Sequence, residues 1–294
     1  MSRKKILITG RGSYIGTSFI KWVSQWPDQY EVEEISVRGE EWKNHDFSGY
    51  DTVLHVAGIA HVSADPKMED LYYKVNRDLA IEVATKAKIE KVKQFIFMSS
   101  MIIYGSDSKI GEQQIITADT KPNPIDFYGK SKLEADVAIQ GLNCEYFKTV
   151  VVRTPMVYGP NCKGNFPRLI KIAKYTPVFF DIKNDRSMIY IDNLIEFLKL
   201  IIVNRAMGVY YPQNKDYMNT TLIIKVIAKI MGRKIWFTRS FMGILKFMAI
   251  KLKIINKIFG SKYYDRQMSD HFNWSYCIVN SIDSLKMYID KEST

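Results

Sequence analysis

Short apolar runs alternate with helix-like stretches through the first half of this chain, and that alternation constrains the fold more than any other feature. Lys4 to Thr9, Glu31 to Val37, Thr52 to Ala57, Gln94 to Met98 and Tyr146 to Val152 read as strands. The run from Gln94 is apolar at nearly every position, which suits a parallel strand covered on both faces. Between the strands, helices are expected from Tyr14 to Trp26 (stopping at Pro27), from near Pro66 to Lys88, and from Tyr128 to about Gln140. Such β-α alternation gives an α/β fold with a doubly wound parallel sheet and right-handed crossovers. The stretch from Ser106 to Pro124 ends in the turn formers Thr120, Lys121, Pro122, Asn123 and Pro124 and reads as a loop. After Gly159-Pro160 the rhythm weakens. A short strand at Ile189 to Ile191 and a helix from Asn193 to Val203 are followed by what reads as a smaller cap of helices and short strands.

The first strand runs into Thr9-Gly10-Arg11-Gly12-Ser13-Tyr14-Ile15-Gly16, where the first helix begins. Glycines at such a turn let the backbone approach a pyrophosphate, and the helix N-terminus adds N–H groups and a favourable dipole. The second strand is followed by Ser36-Val37-Arg38-Gly39-Glu40. An acid near that strand end suits the ribose hydroxyls of NAD, whereas an arginine suits the 2′-phosphate of NADP. Arg38 therefore tilts the cofactor reading toward NADP, with NAD as the alternative.

Tyr128-Gly-Lys-Ser-Lys132 places a phenol and an ammonium at i and i+4, on one face of the expected helix. A cation beside a phenol favours the phenolate and would lower the tyrosine pKa. A tyrosine so tuned can take or return the proton of a sugar hydroxyl. Upstream, an apolar strand ends in Ser99-Ser100. Of these two serines, Ser99 reads as structural. His55 reads as a satisfied core histidine, His61 as a loop residue able to reach a substrate, and Asn76 as a residue that bonds backbone near the site.

The chain has 294 residues, 47% of them hydrophobic, enough for one large core or one core plus a cap. Its three cysteines show no metal spacing, so a reduced, cytoplasmic protein without disulfides or bound metal is expected. Neither a signal core nor a run of 18 apolar residues occurs. The formal charge of +11 is unevenly placed: between Asp216 and Asp265 there are ten lysines and arginines and no acid. That suits an anionic substrate first, and an anionic membrane surface or acidic partner second. No nucleic-acid motif accompanies it, and nucleic acid is not expected as a partner. The apolar, lysine-bearing stretch Phe241 to Phe259 reads as cap helices, with an interfacial membrane patch as the alternative.

Taken in order, the glycine turn, His55-Val-Ala57-Gly58, Ser99-Ser100-Met-Ile-Ile-Tyr-Gly105, Tyr128-Gly-Lys-Ser-Lys132 and Arg186-Ser-Met-Ile-Tyr-Ile-Asp-Asn-Leu194 resemble the extended short-chain dehydrogenase/reductases. The branch is that of the NAD(P)-dependent nucleotide-sugar epimerases, dehydratases and reductases. The resemblance covers about residues 4 to 212. Ser13 stands where the family's TGxxGxxG turn has its middle glycine, and a glycine sits one place earlier at Gly12. The resemblance implies a Rossmann domain over residues 1–157, to which 186–206 return, and a substrate-binding cap from 158–185 and 207–294. It implies that Ser100 holds the reacting oxygen, Tyr128 is the acid/base and Lys132 grips the nicotinamide ribose. Gly10, Gly12, Ser13, Tyr14, Ile15 and Gly16 would lie at the cofactor diphosphate, with Arg38, Ala57, Gly58, Pro155 and Val157 also against the cofactor. Arg186 would hold the nucleotide diphosphate of the substrate, with Asn165 and His61 beside it. The family habit is a UDP-sugar and a homodimer.

Sugar 4,6-dehydratases of the family carry an Asp-Glu pair after the serine, whereas Met101 and Ile102 stand here. Neither can move a proton, which leaves hydride chemistry, expected at C4. A 4-keto-6-deoxy-sugar reductase of surface polysaccharide biosynthesis is the leading expectation, on Arg38 and on the Pro160 to Arg168 loop. A UDP-hexose or N-acetylhexosamine 4-epimerase is the alternative. A non-catalytic dinucleotide-binding module is a distant third, because the Ser-Tyr-Lys set is complete.

Overall fold

The computed structural model of the protein describes residues 3–60, 65–240, 243, 245, 247 and 253–292. The chain forms two compact units. The first comprises Met1–Gly105, Lys121–Pro155 and Leu194–Pro212, and the second Ser106–Thr120, Met156–Asn193 and Gln213–Thr294.

The first unit is built on a six-stranded parallel sheet. Strands β1 (Lys4–Thr9), β2 (Tyr30–Ile35), β3 (Thr52–His55) and β4 (Gln94–Ser100) are joined by Lys148–Thr154 and Gly208–Tyr210. Across the sheet the order is Gly208–Tyr210, Lys148–Thr154, β4, β3, β1, β2. The chain thus leaves β1 toward β2 and returns to its other side with β3. The register aligns Thr9 with both Ile35 and His55, so the carboxyl ends of these three strands share one edge. That reversal of strand order is where open α/β sheets bind ligands.

Burial on both faces explains the apolar runs: Ile6, Ile8, Leu54 and Ile96 are fully buried on one face, and their strand neighbours on the other. Leu7, Val53, Phe95, Phe97 and Val151 bury against Ala80, Val83, Ala84 and Ala87 of the helix Leu79–Ile89, and against Ala135 and Ile139 of the helix Phe127–Gly141. Alanines on the first of these helices let its backbone lie close to the sheet. The helix expected from Pro66 to Lys88 is interrupted. A tight turn at Pro66–Met68 leads into Glu69–Tyr73, a π turn at Lys74–Asp78 follows, and Leu79–Ile89 completes it. π turns inside helices recur at functional sites, and this one carries the buried Asn76.

The second unit has no large sheet among its described residues. Three parallel pairs organise it: Gln113–Ile116 with Ser261–Tyr264, Met156–Tyr158 with Met188–Tyr190, and Val178–Phe180 with Trp236–Thr238. Helices Phe166–Tyr175, Thr220–Ile230, Lys253–Phe259 and Ser281–Glu292 pack around them. The strand Gln113–Ile116 lies within the stretch expected to be a loop. Its partner is far along the chain, so no local period marks it.

Buried amides tie this unit together. Asn184 donates to Thr220 Oγ1 (3.1 Å) and to the Gly260 carbonyl (3.2 Å), and accepts from the Thr220 amide (2.9 Å). Asn193 bonds both the carbonyl and the amide of Val279. Asn214 accepts from the Tyr190 amide and donates to the Tyr158 hydroxyl.

Candidate active site

The turn after β1 is shaped by exclusion. Gly10 has φ +128°, and a Cβ there would lie 2.8 Å from the backbone nitrogen of Ala57. The amides of Val56 and Ala57 both donate to the Thr9 carbonyl, which locks the two strand ends together. Gly12 has φ +71° and faces open space. Ser13 caps the helix α1 (Tyr14–Val23): its hydroxyl accepts from the Gly16 amide at 3.1 Å. A cap of this kind satisfies one of the orphan donors of a helix start, which gives Ser13 a reason to stand where relatives of the fold carry glycine. The remaining first-turn amides, with Tyr14 and Ile15 foremost, point along the helix dipole.

Glu34, near the end of β2, is a residue the sequence reading missed. It accepts from the Gly12 amide (3.2 Å), while its carbonyl accepts from the Arg11 guanidinium (3.1 Å). Its signal was available: an acid close to the end of the second strand. Arg38 lies just beyond, exposed, with its amide donating to Ser36 Oγ and its side chain in no ion pair among the described residues.

Gly58 lies against Asn76 and Lys132. A Cβ on it would sit 3.0 Å from Asn76 Oδ1 and 3.4 Å from Lys132 Nζ. Asn76 clamps the neighbouring residue, accepting from the Ile59 amide (2.9 Å) and donating to its carbonyl (3.0 Å). This is the backbone role expected of it, and the π turn is what aims it. The cradle left by Gly10, Gly12 and Gly58 fits a dinucleotide, since each place where its backbone must be approached lacks a side chain.

Ser100 ends β4 and Tyr128 begins the helix Phe127–Gly141, which Asp126 caps by accepting from the Gly129 amide (2.8 Å). The Ser100 hydroxyl accepts from the Ile102 amide at 3.3 Å and lies near enough to the Tyr128 phenol to act on its pKa. Burial pushes the phenol up to about 12, the neighbouring Ser100 hydroxyl pulls it down, and Tyr72 and Asp126 raise it further. Here the structure corrects the sequence expectation of a lowered tyrosine. Lys132 shares the helix face but turns its ammonium to the Met98 carbonyl (2.9 Å) and over the Phe97 ring (4.6 Å). Burial brings Lys132 itself down to about 8, with Asp136 opposing.

His55 lies one layer below. Its Nδ1 shares a hydrogen bond with Thr9 Oγ1 (2.8 Å), and its ring stacks near Phe95 and Phe97. Burial, then the charge of Lys132, lowers it to about 3, so it is neutral. The reading of a satisfied core histidine holds for one nitrogen only, because Nε2 is buried with no hydrogen-bond partner among the described residues.

Beneath the same helix runs a network the motifs did not announce. Asp136, one turn after Lys132, takes both prongs of the Arg153 guanidinium (2.9 and 3.0 Å) together with the hydroxyl of Ser99 (2.8 Å) and the amide of Gln140 (2.6 Å). Arg153 also donates to Tyr104 (2.7 Å) and Tyr211 (3.3 Å). Ser99 is thus structural: it ties β4 to the helix that carries Tyr128.

In the second unit, Asn165 and Arg186 are brought to one cavity of about 180 Å³, which Arg168, Lys257, Met188 and Thr220 also line. Arg186 is nearly buried, its guanidinium held by Asp107 (3.0 Å) and the Gly260 carbonyl (3.0 Å). Three cations and a carboxamide around an apolar floor suit a diphosphate with an attached base. Pro155 closes the first unit, and Val157 pairs with Ile189 in the second. His61 lies outside the described residues, as does most of the stretch from 241 to 252.

Comparison with known proteins agrees with this geometry. A UDP-glucose 4-epimerase of Vibrio cholerae is 28% identical over 79% of this chain and 77% of its own length. An N-acetyl-α-D-glucosaminyl-diphospho-ditrans,octacis-undecaprenol 4-epimerase of Escherichia coli O157:H7 is 25% identical over 96% of this chain and 88% of its own. Among solved structures, a UDP-glucuronic acid 4-epimerase from Bacillus cereus in complex with NAD superposes with a TM-score of 0.75 at 21% identity, covering 98% of each chain. Residues 6–212, which hold the glycine turn, Ser100, Tyr128, Lys132 and Arg186, match the model of the NAD dependent epimerase/dehydratase family, and the chain belongs to that family.

Proposed function

We propose that this chain is a UDP-hexose or UDP-N-acetylhexosamine 4-epimerase. The observation that carries the reading is Ser100 at the end of β4, followed by Met101 and Ile102, with Tyr128 and Lys132 on one face of the helix Phe127–Gly141. It offers one acid/base for one sugar hydroxyl and no second group to expel water. The two relatives matched over most of their length are 4-epimerases, which favours epimerisation over the single reduction expected from the sequence.

When bound, a nicotinamide dinucleotide supplies the hydride acceptor and donor at the sugar carbon. Gly10, Gly12, Gly16 and the amides at the start of α1 would hold its diphosphate, Ala57 and Gly58 would pass under it, and Lys132 would grip its ribose. Glu34 is suited to the adenine-ribose hydroxyls of NAD. Tyr128 takes the proton of the C4 hydroxyl as that carbon is oxidised, and returns it when the 4-keto sugar is reduced on its other face. Ser100 holds the same oxygen in both directions. Burial holds the phenol protonated in the unliganded site, the form that returns the proton; the phenolate that takes it would form with the positively charged nicotinamide bound beside it. Arg186, Asn165 and Arg168 would take the substrate's diphosphate.

Arg38 favours a second reading, a 4-keto-6-deoxy-sugar reductase using NADP. Denaturing freshly purified protein and identifying any released dinucleotide by mass separates the two. Stoichiometric NAD supports the epimerase, which must keep its cofactor through the cycle. A protein that carries none and binds NADPH more tightly than NADH supports the reductase.

A further inference from the structure

The geometry points to a peripheral docking face for an anionic lipid surface on the second unit, and we propose that this face holds the protein at a membrane. The strands Val178–Phe180 and Trp236–Thr238 pair in parallel, with Val178 opposite Trp236. Strand alternation turns Phe179 and Phe237 inward, where they meet edge to face and Phe179 lies 5.2 Å from the Phe259 ring. Val178 and Trp236 are left on the outer side. Trp236 is 74% exposed, and Tyr175, at the end of the neighbouring helix, is 66% exposed. Large aromatic groups left outside in a cluster mark an interaction surface.

The charge around them has one sign. Neither 166–180 nor 217–264 contains an acidic residue. Asp181, the next acid after the first of these stretches, is taken up by Lys225 (3.1 Å) and Arg239 (3.3 Å). Lys171, Lys174, Arg233 and Lys234 are exposed, and none of them is in an ion pair among the described residues. Arg233 donates to the Lys174 carbonyl, which ties the two segments side by side.

Tryptophan and tyrosine settle at the headgroup level of a bilayer, apolar ring inward and polar edge in water. Lysine and arginine stems reach from the same depth to the phosphates. Each cation near an anionic surface strengthens binding by about fivefold. Unpaired cations around exposed aromatic rings therefore match an anionic leaflet in both charge and polarity. No described helix is long and apolar enough to cross a membrane, so the association is peripheral.

The test is vesicle co-flotation of the full chain at low salt, with equal parts phosphatidylcholine and phosphatidylglycerol against phosphatidylcholine alone. We expect flotation with the mixed vesicles only, declining as salt rises. The double variant Arg233→Glu, Lys234→Glu should lose it by more than about tenfold. The pair Tyr175→Ser, Trp236→Ser should weaken it while leaving the salt dependence. Size-exclusion chromatography and thermal melting of each variant accompany the assay. Absence of wild-type flotation on the mixed vesicles would overturn the proposal, as would flotation unchanged by charge reversal. So would a change of oligomeric state in the serine variant, which would make this face a contact with a second copy.

Discussion

The two units solve the problem of holding a site by different means. In the first, a continuous parallel ladder and apolar residues on both faces fix the strand ends, and the candidate site residues sit where those ends stop. In the second, paired strands of three or four residues cannot do this alone, and buried side-chain amides take over, with Asn184, Asn193 and Asn214 each bridging segments distant in sequence. A site on a ladder tolerates change at its surface but depends on what lies beneath the ladder. A cavity held by amides depends on a few hydrogen bonds.

Breaking that contrast begins with a place where the first unit also relies on a buried charged pair. Asp136→Ala leaves the Arg153 guanidinium buried without its carboxylate, and removing one partner of such a pair is expected to destabilise by about 3–5 kcal/mol. Calorimetric melting checks this; a loss under about 1 kcal/mol would show that the network is incidental to the ladder. In the second unit, Asn184→Ala strands the Thr220 amide and should destabilise by about 1–3 kcal/mol. It should also weaken UDP binding more than dinucleotide binding in calorimetric titrations. Equal weakening of both would erase the distinction between the units.

A third effect appears in base. Burial pushes Tyr128 in the first unit and Tyr158 in the second up to about 12, from an ordinary value of 10.0. The unfolded phenols then ionise before the folded ones. The stability tied to these groups is whole below about pH 10 and is lost as pH rises through about 12. Denaturant unfolding across that range should show the fall, reduced in Tyr128→Phe and in Tyr158→Phe. Ultraviolet titration should show no Tyr128 ionisation near neutrality; a phenol titrating near 7 would restore the lowering by Lys132 expected from the sequence. The smallest effect belongs to the cap: Ser13→Ala should cost about 1 kcal/mol and Ser13→Gly less, read as a shift in urea midpoint.

The same contrast governs what the sequence could show. The alternation of apolar runs placed β1 to β4 and the helix of Tyr128 within a few residues, because each element is local and its period is short. Gly10, Gly58 and Ser100 could be placed because motifs fix them to strand ends, and Tyr128 because its motif opens a helix. Glu34 carried a signal, an acid near the end of the second strand, that the sequence reading passed over. Asp136 and Arg153 carried none, since they come from different elements and no spacing joins them. The direction in which Lys132 points was illegible for the same reason: i and i+4 set a shared face, while the Met98 carbonyl on β4 sets the destination of the ammonium. In the second unit the strand Gln113–Ile116 was hidden by its distant partner Ser261–Tyr264.

The central claim is that Tyr128 works a closed oxidation and reduction at C4. The most direct test gives the purified protein, without added cofactor, UDP-glucose and UDP-N-acetylglucosamine bearing deuterium at C4, followed by NMR. The account predicts the C4 epimer with deuterium retained, and a loss of about 100-fold or more in Tyr128→Phe. No epimer from either sugar, together with net oxidation of NADPH on a 4-keto-6-deoxy sugar, would contradict it.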